Sequence, residues 1–227
     1  GAQILTMKIL TTVMSDLTQI PGVDTIPYPN GIQLRVVSDS VNDISNGSGV
    51  RTLRLVYLDT NYDIQQEIIT MNGLTAVNTV ATDIRRIYWI NTITAGSGGV
   101  AAGNISLQNL AGTVTYEYIK AAENRSLTCH FTIPNNTTGY VLAWQASGKK
   151  QTISIRFRAA ADPYTGELTP GVFTFRSIVD LYDSASGLLT PLIPGKFLAK
   201  TDLKLSAIAD VVGGDAAGTF QIVCIKD

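Results

Sequence analysis

The feature that most restricts this chain is its lack of helical periodicity. No window of a dozen residues repeats apolar positions at i, i+3, i+4 and i+7 without a Gly, a Pro or a β-branched run breaking it. Short alternating runs rich in Val, Ile, Thr and Tyr take its place, punctuated by Gly, Asn, Asp and Pro. They predict strands over 32–37, 50–58, 67–71, 84–91, 104–107 and 113–119. A second group falls at 127–133, 139–145, 151–159, 172–181, 202–209 and 219–225. Runs of this length and spacing belong to sandwiches or barrels. In 51–57 the alternation sends Leu53, Leu55 and Tyr57 to one face and Arg54 to the other, as in an antiparallel strand with one dry face.

Turn chemistry divides the chain. Asn72-Gly73, between Ile68-Ile69-Thr70-Met71 and Leu74-Thr75-Ala76-Val77, predicts a tight two-residue hairpin. Lys120-Ala121-Ala122-Glu123-Asn124-Arg125 is the one charged, small-residue connector near the middle, with about half a dozen strands on each side. The expected fold is all-β: two tandem antiparallel β-sandwich, jelly-roll-like domains over 32–120 and 121–227. One interlocked sandwich is the alternative. Residues 1–31 are expected to form an extended N-terminal arm, because the Pro- and Gly-rich stretch 21–31 propagates neither a helix nor a central strand. Ahead of it Ile4, Leu5, Ile9, Leu10, Val13 and Leu17 need cover, from an edge of their own domain or from a neighbour.

Composition narrows the function. Only 15% of residues are charged against 45% hydrophobic, and the net charge is −1. Mean hydropathy is +0.17. A surface so poor in charge repels other protein weakly, which suits an assembly subunit. No basic cluster is dense enough to neutralise a run of phosphates, so nucleic acid is not an expected partner. No apolar run reaches 18 residues, so no membrane-spanning helix is expected. Residues 1–8 lack the basic–apolar–small order of a signal peptide.

Chemistry-bearing constellations are sparse. His130, the single histidine, sits in a strand run between Cys129 and Phe131, and strand neighbours point to opposite faces, so a Cys129–His130 dyad is not formed. Cys129 and Cys224 each lie in apolar alternating runs and are expected as small buried hydrophobes rather than a bridge. Asp59-Thr60-Asn61-Tyr62-Asp63 begins like a calcium loop, but Ile64 and Thr70 stand where Gly and Glu are required; a side-chain-stabilised turn is expected instead. The stretch 162–167 is likewise expected as a turn. Tyr88 and Trp89 are expected on opposite faces of one strand, Tyr140 and Trp144 on a common face as core. No catalytic, cofactor-binding or metal-binding residue and no cofactor is expected, and the chain is not expected to be an enzyme.

Several segments carry a resemblance: Gly47-Ser48-Gly49-Val50-Arg51-Thr52, Leu58-Asp59-Thr60-Asn61-Tyr62, Glu67 leading into Met71-Asn72-Gly73, Phe131-Thr132-Ile133-Pro134 before Gly139-Tyr140-Val141-Leu142, and Lys200-Thr201-Asp202-Leu203. Together they span most of 38–227 and resemble an uncharacterised family of virion-associated, β-rich structural proteins of marine tailed phages and large algal viruses. Tyr57 departs from it, standing where the family usually has Gly. The resemblance implies a virion component and carries no catalytic residue. The expected function is a capsid decoration or minor capsid protein that stabilises the particle. Its partners would be copies of itself and other virion proteins such as the major capsid protein. A tail, neck or fibre component and a host-glycan-binding adhesion module are the alternatives.

Overall fold

The structure, a computed structural model, describes residues 2–3, 6–10, 12–183 and 185–227. It is all-β, with no helix among the described residues. Near the N-terminus lie β1 (Ala2–Gln3), β2 (Thr6–Ile9) and β3 (Ser15–Asp16). Then follow β4 (Leu34–Ser38), β5 (Val50–Leu58), β6 (Ile64–Thr70), β7 (Val77–Asn78), β8 (Arg86–Ala95), β9 (Ile105–Asn109) and β10 (Thr115–Ile119). The remainder holds β11 (His130–Thr132), β12 (Thr137–Lys149), β13 (Ile153–Ala159) and β14 (Thr174–Leu181). Last come β15 (Ser186–Leu189), β16 (Gly195–Phe197), β17 (Asp202–Ala209) and β18 (Asp215–Lys226).

The chain forms two units. The inserted unit comprises 19–21 and 26–127; the terminal unit comprises the described residues up to Thr18, 22–25 and 128–227. The division falls at 127/128, not at the expected 120/121, because 121–127 bonds to the inserted unit. Ala122 N–H donates to the Ala101 carbonyl, and Ser126 exchanges bonds with the Ile90 backbone. Charge and small residues here mark a hydrogen-bonded surface segment rather than a linker.

The inserted unit pairs an antiparallel sheet in the order β10-β9-β4-β7 with a second in the order β6-β5-β8. One core joins their inner faces: Leu34 and Val36, Leu53, Leu55 and Tyr57, Ile87 and Ile90, Ile105 and Leu107. The alternation read in β5 is the one observed, with Arg54 half-buried on the other face. Asp43 is fully buried among the loops at one end. Its carboxylate accepts from Ser38 Oγ (2.6 Å) and from the backbone N–H groups of Val50 (2.7 Å), Ala102 (2.9 Å) and Gly103 (2.9 Å). Four donors on one carboxylate satisfy backbone groups that no ladder reaches. Gly49 is required beside it, since a Cβ there would collide with Asp43 Oδ1.

Asn72-Gly73 does not make the expected two-residue hairpin. β6 pairs with β5 and β7 with β4, so the chain crosses between sheets here. Only Gly73 takes positive φ, at 59°. The Asn72 carbonyl accepts from Thr75 N–H (3.1 Å), and Gly73 N–H donates to the Asp43 carbonyl (2.7 Å). A local dipeptide signal fixes a turn, but not which sheet the next strand joins.

In the terminal unit, one sheet runs β1-β18-β12-β15, with β2 also on β18 and β16 also on β12. The other runs β11-β17-β13-β14, with β3 on β17. The rings of Phe157, from the second sheet, and Phe220 and Phe197, from the first, meet edge-on at 5.8 and 6.1 Å. Of the segment expected as an extended arm, the described residues up to Thr18 and 22–25 are built into this unit, and 19–21 and 26–31 belong to the inserted one. β1 and β2 pair along β18, and β3 pairs with β17. Leu10 and Leu17 are fully buried and Val13 is exposed; Ile4 and Leu5 lie outside the described residues. Short edge pairing supplies the cover that the sequence assigned equally to a neighbour. Asp16, on β3, adds a buried ion pair to Lys204 (2.8 Å) and accepts from Ser206 Oγ (2.7 Å).

Candidate functional site

Among the described residues, both sheets of the terminal unit have free edges on one side. β14 ends the five-stranded sheet, while β15 and β16 are the last strands on β12 in the other. Between them opens an apolar cavity of about 330 Å³ whose walls include Val141, Trp144, Phe157, Leu189, Ile193 and Phe197. Two β-bulges make it. On β12 the register shifts between Val141 and Ala143, so Leu142 is an extra residue and the inward phase passes from Val141 to Trp144. Tyr140 and Trp144 therefore lie on opposite faces, where unbroken alternation placed them together. Trp144 points inward and its Nε1–H donates to Ser177 Oγ (2.8 Å). On β14 the register shifts opposite Phe157/Arg158, making Arg176 the extra residue.

That bulge turns Arg176 into the cavity wall. Its guanidinium donates to the carbonyls of Ala161 (2.9 Å) and Asp162 (3.1 Å) and lies 5.6 Å from the Phe197 ring centroid. Burial lowers its pKa, and the Asp162 carboxylate partly offsets this. Gly187 on β15 lets the two edges approach, because a Cβ there would stand 3.0 Å from Val179 Cγ1. The loop joining β15 to β16 exposes Leu192 completely (104%) and Ile193, at the cavity rim, at 84%. Leu188, Phe175 and Ile178 on the adjoining edge strands are also exposed. An apolar, unpaired edge of this kind is a template for association with other protein.

The residues weighed from the sequence fall elsewhere. His130 is buried on β11 directly opposite Lys204. Cys129 is fully buried, and burial pushes its thiol pKa far above the ordinary value. Cys224 lies on the exposed part of β18, and both cysteines are free thiols. Asp59 makes the expected turn: Oδ1 accepts from the N–H groups of Asn61 (2.8 Å) and Asp63 (3.0 Å), and Oδ2 from Gln65 Nε2 (3.1 Å). The Asp162 carboxylate accepts from the N–H groups of Tyr164 and Thr165, which holds its pKa below the usual carboxylate range. Among the described residues no group of three His, Cys, Asp or Glu side chains is placed to hold a metal ion.

Tyr88 and Trp89 depart from the expected opposite faces. Val56 pairs with Trp89 and Tyr57 with Ile87, so Tyr88 is a bulge residue, and the two rings stack at 5.8 Å and 26°. Arg125 covers the Trp89 ring at 4.9 Å. The apolar free edge itself was missed. Its sequence signal was Leu188-Leu189-Thr190-Pro191-Leu192-Ile193-Pro194, an apolar run whose two prolines exclude a central strand.

No protein-family model and no curated protein matches the chain. Two solved structures are similar over nearly its full length. One is a crystal structure of the T13 particle of infectious bursal disease virus, at 11% identity and a TM-score of 0.24, covering 99% of this chain and 69% of that one. The other is a structure of the Gx strain of the same virus, at 11% identity and a TM-score of 0.21, covering 96% and 71%. Scores this low define no common fold, and the functional reading does not rest on them.

Proposed function

We propose that this chain is a virion structural protein, a capsid decoration or minor capsid protein that acts without catalysis. It would stabilise the particle through contacts with its own copies and with other virion proteins such as the major capsid protein. The observation that carries this reading is the apolar free edge of the terminal unit, with Leu192 and Ile193 almost wholly in solvent. Burying two such side chains contributes about 1.5–3 kcal/mol each, a term that only a partner surface supplies. The low charge of the chain weakens the repulsion that keeps ordinary soluble proteins apart.

The test has two arms. Immunogold labelling of intact virions is expected to decorate the capsid; label confined to tails moves the protein to a tail, neck or fibre role, and no label on purified particles ends the virion reading. In parallel, light scattering behind size exclusion compares the chain with its Leu192→Glu/Ile193→Glu variant. The parent is expected to self-associate or to bind depleted particles, and the variant to do neither while melting at the same temperature.

A further inference from the structure

A second groove lies on the outer face of the five-stranded sheet of the terminal unit, with a volume of about 590 Å³. Arg156 and Arg158 are two residues apart on β13, so both project from one face, and both line it. Three aromatic residues, Phe173, Phe175 and Tyr164, share the remaining walls with Met14, Pro163 and Thr174. Tyr164 is 95% exposed and Phe175 58%, so their ring faces are open to solvent.

Among the described residues neither arginine has a carboxylate within ion-pair distance. Arg158 is held in place, donating to the Phe173 carbonyl (3.1 Å) with its guanidinium 5.8 Å from that ring. Lys204, cross-strand from Arg158, sits 3.9 Å from the same ring centroid and is neutralised by buried Asp16. The nearby Asp162 carboxylate bonds the backbone N–H groups of Tyr164 and Thr165 and forms no ion pair with either arginine. Arg156 differs: among the described residues its guanidinium makes no hydrogen bond and no ion pair.

We infer that this groove binds a carboxylate-bearing saccharide, with Arg156 receiving the carboxylate and Tyr164 and Phe175 stacking on the sugar rings. A guanidinium fork matches a carboxylate in two parallel hydrogen bonds, which a lysine does not. The apolar C–H face of a pyranose suits an exposed aromatic ring, since aromatic side chains offer a flat, rigid surface. An acidic peptide fits less well. Peptides draw affinity from main-chain pairing along a sheet edge, and β13 is an interior strand whose face, not edge, lines the groove. The groove shares Phe175 with the apolar edge, whereas Arg156, Arg158 and Tyr164 belong to the groove alone.

Saturation-transfer NMR on the full chain tests it. The probes are N-acetylneuraminic acid and glucuronic acid, against galactose, N-acetylglucosamine and hexaglutamate at the same millimolar concentration. One or both acidic sugars are expected to bind and the neutral sugars not. Arg156→Gln is expected to weaken binding about tenfold or more, which is the loss of one charge-assisted contact. Tyr164→Ala should weaken it severalfold, with unchanged melting in both variants. Equal binding of neutral sugars, stronger binding of hexaglutamate, no binding of either acid, or an indifferent Arg156→Gln variant overturns the proposal.

Discussion

The two units use the same strand chemistry and finish their edges differently. In the inserted unit the outer strand β6 carries exposed Ile64 and Ile68, but Gln65, Gln66 and Glu67 lie between them. The Glu67 carboxylate accepts from the N–H groups of Val80 (2.7 Å) and Ala81 (3.1 Å), tying a loop to that edge. In the terminal unit, β14 and β15 face an apolar cavity and the loop beyond them presents Leu192 and Ile193. Natural sheets blunt exposed edges with charge or cover, so an edge left apolar marks where a partner is expected. The interiors differ too. The inserted unit gathers loops on a fully buried carboxylate, Asp43, over sequence separations of up to 60 residues. The terminal unit secures its first strands to its last through Asp16 and Lys204, 188 residues apart.

The largest expected effect breaks the inserted unit alone. Asp43→Ala strands four donors, and the expected loss is about 4–5 kcal/mol, since bonds to a charged acceptor contribute roughly 1.5–3 kcal/mol each and do not add fully. Each unit holds one of the two tryptophans, Trp89 in the inserted unit and Trp144 in the terminal one. Urea unfolding in Trp144→Phe and Trp89→Phe backgrounds therefore reads them separately. A shift seen equally by both reporters would mean that the units do not unfold separately.

The next effect is its counterpart. Asp16→Ala leaves the Lys204 ammonium buried without its carboxylate, and the terminal unit is expected to lose about 3 kcal/mol. Asp16→Leu with Lys204→Met should recover most of it, because an apolar pair needs no compensation. Burial, opposed by Asp16, lowers the Lys204 pKa below 10.5. In the window just under 10.5 the unfolded chain thus holds more protons than the folded one, and stability from this site rises with pH. Lys204→Met should flatten that rise in the Trp144-reported unfolding free energy; a slope that persists assigns it to other groups.

Gly73→Val tests the crossover between the sheets of the inserted unit. With φ at 59° and a Cβ 3.3 Å from Val41 Cα, it is expected to cost about 1–2 kcal/mol and lower the Trp89-reported midpoint. An unchanged midpoint would show that the crossover absorbs the strain. The smallest effect is chemical. Maleimide should modify one thiol per native chain, Cys224, slowly because partial burial raises its pKa, and two after denaturation. Two native thiols would place Cys129 outside the core of the terminal unit.

Much of the fold was legible because strands announce themselves locally. β5 and β17 have the bounds that the alternation predicts, and the turns at Asp59 and Asp162 follow from side chains that bond their own backbone. β15 and β16 were not legible, since strands of four and three residues on either side of Pro191 and Pro194 carry no period. Little of the candidate site was visible. The pairing of Arg156 with Arg158 was readable as i, i+2 on one strand, but the aromatic groove about them was not.

What the sequence determined by itself is the all-β class, the dry faces of the long strands and the position of most turns. These depend on residue spacing within a few neighbours. Tertiary structure alone decided which strands pair, that residues 6–9 close onto β18, and where Leu142, Arg176 and Tyr88 are inserted as bulges. A bulge reverses the in–out phase of every residue after it, and nothing in the bulged strand's own sequence records it, because it exists only relative to the register of a partner strand.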